Sequence, residues 1–212
     1  MKKRSRSGEG SVNDLPPAGR LAYNPDWLQP RSALDLFEAL RTEIDWQSRT
    51  VKMFGRELRQ PRLIAFQGDE GVIYRYSGGD YRAGPWHPCV GRLRDRLADE
   101  LHVDFNSVLI NLYRDGADGM GWHADDEPEL GRDPTIASVS LGAPRRFLIR
   151  NRNDRSLRFE YTLATGSLVV MEGDLQHHWQ HQVPKTARPT GPRINLTFRR
   201  ILPRGQRSSR SD

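Results

Sequence analysis

The chain has a single cysteine and no long apolar segment. Cys89 stands alone among 212 residues, which excludes an intrachain disulfide. The apolar runs are far too short to cross a bilayer, and the basic start MKKRSRSGEG lacks the apolar core of a secretory signal. We therefore expect an intracellular, cytoplasmic protein without membrane contact. The stretch KKRSRS is compatible with nuclear import in a eukaryote.

The body of the chain has no excess charge of either sign. The formal net charge is +6, yet four basic residues among the first seven and the basic end 204–212 account for all of it. Such tails are either solvated ends or arms that grip phosphates. We predict a disordered tail over residues 1–20, one domain over 21–203 and a basic tail over 204–212, because this length suits a single domain with its own core.

Internal repeats and a phosphate-binding loop are also missing, since SGGDYRAG lacks the strand-to-helix context and the lysine of such loops. Two segments have apolar residues at helical spacing. The first predicts a helix over residues 32–46, with Ser32 as its cap and Leu34, Phe37, Leu40 and Ile44 on its apolar face. The second is PCVGRLRDRLADELH, in which Val90, Leu93, Leu97 and Leu101 recur.

From Phe105 onward the sequence has the pattern of short strands separated by turn residues. The segments are FNSVLINLY, IASVSLG, RRFLIRN, LRFEYTL, SLVVME, HHWQHQV and RINLTFRRI. Their spacing, about eight to twelve residues, predicts a β-sandwich or barrel. We expect the two helices to cover one face of it.

The stretch GWHADDEPEL contains a candidate metal site. His123 and Asp125 are two residues apart, so in an extended segment both side chains point the same way. Two histidines and one carboxylate on one face form the iron site of non-haem oxygenases. The segment QHHWQHQV offers the second histidine, and in a strand His177 and His181 share a face while His178 points away. The alternative is an acidic exposed loop with a separate histidine-rich turn.

The segment RINLTFR predicts a strand with one polar and one apolar face. Alternation puts Arg193, Asn195, Thr197 and Arg199 on the polar face and Ile194, Leu196 and Phe198 in the core. The two arginines lie roughly 20 Å apart along the backbone, and their long side chains can bracket a short dicarboxylate. Asn111 and Tyr113 form a similar pair in LINLYRDG. The alternatives are solvated arginines on an edge strand and a buried tyrosine with a satisfied hydroxyl.

Five of these segments together resemble one family. NLYRDG, WHADDEPELG, IASVSLGAPRRF, HWQHQVPK and PRINLTFRRI, in this order, are similar to the AlkB-type Fe(II) and 2-oxoglutarate-dependent dioxygenases, in particular the branch that dealkylates nucleic acids. The resemblance covers about residues 50–202. It implies an α+β, mainly β fold: a double-stranded β-helix of the jelly-roll, cupin-like type, braced by N-terminal helices.

The resemblance also implies roles for single residues. The iron ligands would be His123, Asp125 and His181, with O2 at a remaining position. The 2-oxoglutarate site would comprise Asn111, Tyr113, Arg193, Asn195 and Arg199, with Arg199 pairing the distal carboxylate. Asp126 and Glu127 would read the exocyclic group of a damaged base.

A nucleotide-recognition lid is implied over about residues 50–85. Tyr74 and Tyr76 would contact the flipped base opposite His123, Phe54 would wedge into the duplex, and Arg62 would approach the base. An enzyme that acts on a base must replace the stacking that the base loses, and aromatic side chains do this. The alternative is an ordinary exposed hairpin with two tyrosines.

The expected activity is oxidative demethylation of bases such as 1-methyladenine and 3-methylcytosine in DNA, with release of formaldehyde, by a monomeric enzyme. RNA is a further substrate class. One alternative keeps the chemistry but acts on modified RNA or a protein. Another is a non-catalytic jelly-roll binding module; however, a structural zinc site has four protein ligands, whereas three are offered here beside a dicarboxylate clamp.

Overall fold

The computed structural model describes residues 11–15, 19–53, 56–76 and 79–203. This part of the chain forms fifteen strands, three α-helices and one 3-10 turn. The helices are α1 (Pro30–Glu43), α2 (Pro88–Leu101) and α3 (Leu175–His178), and the 3-10 turn is Pro128–Leu130. The strands are β1 (Ser11–Asp14), β2 (Arg20–Asn24), β3 (Thr50–Met53), β4 (Arg56–Arg59), β5 (Leu63–Gly68), β6 (Ile73–Tyr76), β7 (Gly79–Arg82), β8 (Ser107–Tyr113), β9 (Met120–His123), β10 (Ile136–Gly142), β11 (Arg145–Asn151), β12 (Arg158–Leu163), β13 (Leu168–Glu172), β14 (Trp179–Val183) and β15 (Arg193–Arg199).

Two antiparallel sheets form the body of the protein. The large sheet has the strand order β1-β2-β13-β10-β15-β8-β5, and the small sheet has the order β12-β11-β14-β9. The hairpins β3-β4 and β6-β7 form separate two-stranded sheets within the range predicted for the lid. This mainly β, jelly-roll arrangement is the predicted fold, and each of the seven strands expected after Phe105 is present.

The large sheet is buried on both faces. On one face, Ile194, Leu196 and Phe198 of β15 pack in a cluster that includes Phe37 of α1 and Val90 of α2. On the other face a second apolar cluster fills the space towards the small sheet, with Tyr113, Phe147, Ile149, Met171 and Trp179 among its members. Because β15 alternates strictly, its polar residues are left on the face between the two sheets.

Helix α1 differs from its prediction at its start. It begins at Pro30 after Gln29, so Ser32 lies inside the helix and is not its cap. Proline suits the first turn, where its missing N–H would have no partner. Leu34 is 52% exposed, whereas Ala33, Phe37, Leu40 and Ile44 are buried. Ala33, and not Leu34, therefore belongs to the buried face of the helix, and Leu34 lies at the side of that face.

The predicted disorder of residues 1–20 is wrong for Ser11–Asp14, which pair with β2 as strand β1. Leu15 explains the order, because its side chain is 1% exposed in the core between the sheets and its N–H donates to the Gly19 carbonyl at 2.7 Å. Gly19 has φ +116°, and a Cβ there would lie 2.8 Å from Leu175 Cα, so the close approach requires glycine.

Residues 1–10 and 204–212 lie outside the described residues. None of the helices in the described part has the length and apolarity of a membrane-spanning helix.

Asp118 fixes the turn between β8 and β9. Its carboxylate is 2% exposed and accepts hydrogen bonds from the Arg114 backbone N–H and from Arg114 Nε and Nη2, at 2.8 to 2.9 Å. Burial alone would raise the pKa of Asp118, but the hydrogen bonds from Arg114 outweigh it, and the pKa is lowered. We predict that Asp118→Ala lowers the free energy of unfolding at neutral pH by about 1–3 kcal/mol.

The same pair predicts a pH dependence. Since the pKa of Asp118 is lower in the folded state, its stabilisation is full above the ordinary aspartate pKa of about 4 and is lost as the pH falls through the folded value. Urea unfolding should therefore show a smaller difference between wild type and Asp118→Ala at about pH 3 than at neutral pH. Asp35→Ala is the control, because it removes an exposed i,i+4 pair with Arg31 and should cost about 0.5 kcal/mol or less. An Asp118→Ala effect that is equal at both pH values would contradict the prediction.

Candidate metal centre and adjoining pocket

Strands β9 and β14 of the small sheet bring two histidines together. His123 and His181 are directly paired, and their ring centroids are 4.2 Å apart. Asp125 follows two residues after the end of β9, with Oδ1 3.9 Å from His123 Nε2. The potential ligand atoms of His123, Asp125 and His181 all lie within 4.8 Å of one another, so the three residues could hold a metal ion.

His177 and His178 do not join this group. Both belong to α3, because β14 begins only at Trp179, and the strand face that His177 and His181 were expected to share does not exist. His177 Nε2 contacts the Arg132 carbonyl oxygen, and His178 Nε2 lies 3.2 Å from the Asp174 carboxylate.

The three residues of the group are in the protonation states that bind a cation. Burial lowers the pKa of His123, and it lowers the pKa of His181 to about 3, so both imidazoles are neutral. His123 Nδ1 lies 2.9 Å from the Gly121 carbonyl oxygen and donates a hydrogen bond to it, so the proton stays on Nδ1 and the lone pair of Nε2 is free. For Asp125, burial would raise the pKa, but the charge of Arg199 outweighs it and the pKa falls to about 2.

The two oxygen atoms of the Asp125 carboxylate have different surroundings. Its Oδ2 accepts a hydrogen bond from Arg199 Nη2 at 2.8 Å, while Oδ1 is buried and has no hydrogen-bond partner among the described residues. The same holds for His181 Nδ1. Buried polar atoms without partners are costly, and a divalent ion at this corner would satisfy Oδ1. Two imidazoles and one carboxylate with open positions fit Fe(II).

A pocket adjoins the group between the two sheets. Its polar lining includes Arg193, Asn195, Thr197 and Arg199 from β15 and Asn111 and Tyr113 from β8. The predicted division of β15 into a polar face on the cavity and an apolar face in the core is therefore confirmed.

Arg199 lies at the metal end of this pocket. Its side chain is 5% exposed, pairs with Asp125 and has the Tyr74 ring 5.6 Å away. The resemblance implied that Arg199 pairs with the distal carboxylate of 2-oxoglutarate; in this structure its partner is Asp125 of the metal group. Six residues of strand separate Arg199 from Arg193, roughly 20 Å, so the arginine that contacts the metal group is not the one at the far end.

Arg193 lies at the far end of the pocket. It is 1% exposed, and its Nη2 donates to Ser140 Oγ at 2.9 Å. Nε and Nη1 are buried and make no hydrogen bond of good geometry in the described part of the chain, although the Tyr113 hydroxyl lies close enough to favour the charged form of Arg193. Burial lowers the pKa of Arg193 to about 10, which still leaves it charged at neutral pH. A buried cation with unused donors is a site for an anion. The sequence did not point to Ser140, because one serine in a strand carries no signal of its own.

The two asparagines of the pocket are held by the protein. Asn195 Nδ2 donates to Ser138 Oγ at 2.8 Å and to the Val139 carbonyl at 3.1 Å. Asn111 Oδ1 accepts from Arg62 Nε at 2.8 Å. Arg62 was expected to approach the base. It is buried beside the pocket, and Asn111 is its partner.

Asp126 and Glu127, the two acidic residues directly after Asp125, have different partners. Glu127 lies beside the Tyr74 hydroxyl, and burial raises the pKa of its carboxyl to about 7. Asp126 instead accepts a hydrogen bond from Arg152 Nη2 at 2.7 Å.

Of the aromatic residues predicted for the lid, Tyr74 is 1% exposed and packs on Phe66. Tyr76 belongs to β6, but its side chain, like the whole of Phe54, lies outside the described residues.

Comparisons with known proteins agree with this site. The family model described as the 2OG-Fe(II) oxygenase superfamily matches residues 20–199. The chain is 38% identical over 200 residues to human (Homo sapiens) alpha-ketoglutarate-dependent dioxygenase alkB homolog 3, covering 89% of this chain and 69% of that protein. It is 40% identical over 178 residues to DNA oxidative demethylase ALKBH2 of Mus musculus, covering 79% and 74%.

A solved structure shows the same fold. OsALKBH1 matches with a TM-score of 0.63 at 17% identity, covering 90% of this chain and 100% of that chain. The family match spans most of the chain and favours an enzyme over a non-catalytic binding module. The protein therefore belongs to the 2OG-Fe(II) oxygenase superfamily and is an AlkB-type dioxygenase that uses Fe(II), 2-oxoglutarate and O2.

Proposed function

We propose that this dioxygenase removes N-linked methyl groups from 1-methyladenine and 3-methylcytosine in DNA and releases them as formaldehyde. The proposal is based on the position of Tyr74 and Glu127 beside Arg199, which in turn donates a hydrogen bond to Asp125 of the metal group. An aromatic side chain and a hydrogen-bonding carboxyl thus lie next to the metal group. A relative at 40% identity is named a DNA oxidative demethylase.

His123 Nε2, Asp125 Oδ1 and a ring nitrogen of His181 would hold the metal. Once bound, Fe(II) would supply the activation of O2, with 2-oxoglutarate giving two electrons as it becomes succinate and carbon dioxide; one oxygen atom would end in succinate and the other on the N-methyl carbon. The hydroxylated methyl group then leaves the base nitrogen as formaldehyde. Arg199 keeps Asp125 ionised and oriented through the hydrogen bond to Oδ2.

The far end of the pocket would bind the distal carboxylate of 2-oxoglutarate. Arg193 provides a buried positive charge and two unused donor atoms there. Tyr113 lies 5.2 Å from the Arg193 guanidinium and forms the neighbouring wall. Asn111 and Asn195, both held by the protein, line the middle. We assign the distal role to Arg193 and the metal-end role to Arg199.

The base would enter at the metal end of the pocket, opposite the end that contains Arg193. Both 1-methyladenine and 3-methylcytosine have an exocyclic amino group beside the methylated ring nitrogen, and Glu127 is a carboxyl that can accept a hydrogen bond from it. Tyr74 is the aromatic side chain at this end; its ring is buried against Phe66 and Arg199 here and would have to turn outward to stack on a flipped base. We retain Tyr76, Phe54, Arg62 and Asp126 as predicted substrate contacts, and we expect an intracellular monomer that acts on alkylated DNA and, as an alternative, RNA.

The test measures formaldehyde and succinate, the two expected products, in the same reaction. Purified protein with Fe(II), ascorbate and 2-oxoglutarate is given oligonucleotides that carry 1-methyladenine or 3-methylcytosine, as single- and double-stranded DNA and as RNA. We expect formaldehyde and succinate in equal amounts, only with the methylated base in DNA. Unmethylated oligonucleotides and methylated peptides are the controls. Coupled turnover restricted to RNA or to peptides would reject DNA as the substrate.

A further inference from the structure

Asp125 lies just beyond the strand ladder that holds its partner histidine. Strand β9 ends at His123, and its pairing with β14 has His123 opposite His181. The backbone N–H of Asp125 is therefore not bonded within the ladder. It donates to Gln176 Oε1 at 3.0 Å instead. Both residues are buried, with Gln176 at 0% and Asp125 at 1% exposure.

Gln176 is itself firmly held. It belongs to α3, the single turn that leads directly into β14 and so to His181. The neighbouring Leu175 and Trp179 are both 0% exposed and anchor that turn in the core between the sheets. The remaining end of the amide, Nε2, lies 3.6 Å from Met171 Sδ on β13 and donates to it. The amide oxygen thus has a defined position from which to accept the Asp125 N–H.

This hydrogen bond joins the two segments that carry the metal group. One segment ends in Asp125, and the other continues to His181, so the bond fixes the peptide plane that precedes Asp125 relative to β14. The direction of the Asp125 side chain follows from that plane. The carboxylate must place Oδ2 on Arg199 and Oδ1 towards the histidines at the same time, which leaves little tolerance.

We propose that Gln176 is a positioning residue for the metal centre, whose amide oxygen holds Asp125 so that Oδ1 faces His123 and His181. The inference rests on the proposed role of these three residues as metal ligands. Partners of metal ligands typically change metal affinity by about 10–100-fold when they are removed. Gln176 does not touch the metal or the substrates, so it acts only through Asp125.

The test compares metal binding by the apoprotein. Gln176→Met keeps the size of the side chain but removes the acceptor, whereas Gln176→Glu retains an acceptor oxygen. Equilibrium dialysis with Co(II) alone gives the dissociation constant, and the visible Co(II) spectrum reports the ligand geometry. We expect the dissociation constant to rise about 10–100-fold in Gln176→Met, with an altered spectrum, and to return to within a few-fold of wild type in Gln176→Glu.

Ser167→Ala is the matched control, because it removes a different buried hydrogen bond, from Ser167 Oγ to the Ala164 carbonyl at 2.7 Å, at a residue that is 0% exposed. Its metal affinity should equal that of wild type. If folded Gln176→Met binds Co(II) as tightly as Ser167→Ala, Gln176 is only structural and the inference is overturned. If Gln176→Met does not fold, Gln176→Asn, which withdraws the oxygen by one methylene, should show the same weakening. Failure of the wild type to bind Co(II) would overturn the metal site itself.

Discussion

Asp125→Ala should abolish 2-oxoglutarate turnover and, unlike loss of either histidine, should also destabilise the fold strongly. Turnover fails because the only carboxylate of the His123, Asp125 and His181 group is removed. Stability falls because Arg199, which is 5% exposed, loses its ion-pair partner at 2.8 Å. Breaking a buried pair by removing one charge typically costs about 3–5 kcal/mol, since the remaining charge stays buried.

The double variant Asp125→Ala/Arg199→Met separates the two effects. Replacing both charges by apolar groups should restore much of the stability in urea unfolding, while succinate formation stays absent. His177→Ala is the control for specificity, because its side chain is 42% exposed and makes no contact with the metal group. It should retain wild-type turnover. Residual Fe(II)-dependent succinate production by Asp125→Ala would refute the assignment of Asp125 as a ligand.

The faces of the strands could be predicted from the sequence because a strand has a period of two. Arg193 and Asn195 line the pocket as this alternation predicts, and the apolar residues of β15 lie on the opposite face, as it also predicts. Asp125 does not, since β9 ends at His123 and a hydrogen bond from its own backbone to Gln176 sets its direction. No pattern in the sequence connects two residues that are 51 positions apart through one buried amide.

For the same reason, the sequence pattern could not decide whether His177 or His181 completes the metal group. Treating HHWQHQV as one strand gave both histidines the same face, but burial of Leu175 and Trp179 stabilises a helical turn that takes His177 out of the strand. The N-terminal strand β1 was missed because its four residues, SVND, carry little apolar signal, and the anchor is the following Leu15. In both places tertiary packing overrides the local pattern.

The order of the two arginines along the pocket also could not come from the sequence. Alternation places Arg193 and Arg199 on one face but does not say which end of β15 meets the metal group. That depends on the neighbours of β15 in the sheet and on the HADDE segment across from it. The ion pair between Arg199 and Asp125 fixes the direction and leaves Arg193 as the buried cation at the opposite end.

Arg193→Met should therefore raise the KM for 2-oxoglutarate by about 100-fold or more, because hydrogen bonds to a charged group contribute about 1.5–3 kcal/mol each and two donor atoms are lost. Arg193→Lys should recover only part of the affinity, since lysine lacks the planar fork. The matched variant is Arg199→Met, which removes the arginine at the metal end of the same strand face and should chiefly weaken metal binding through Asp125.

A change in the cosubstrate identifies the arginine that meets the distal carboxylate. 2-Oxobutanoate keeps the keto acid but lacks that group, so wild type should strongly prefer 2-oxoglutarate in kcat/KM for the keto acid. In Arg193→Met this preference should nearly vanish, because the arginine and the carboxylate act as a pair and the loss of either removes the same interaction. In Arg199→Met the preference should persist at a metal concentration that saturates the variant. If the two variants behave the opposite way, Arg199 binds the distal carboxylate, and its contact with Asp125 must give way when 2-oxoglutarate is bound.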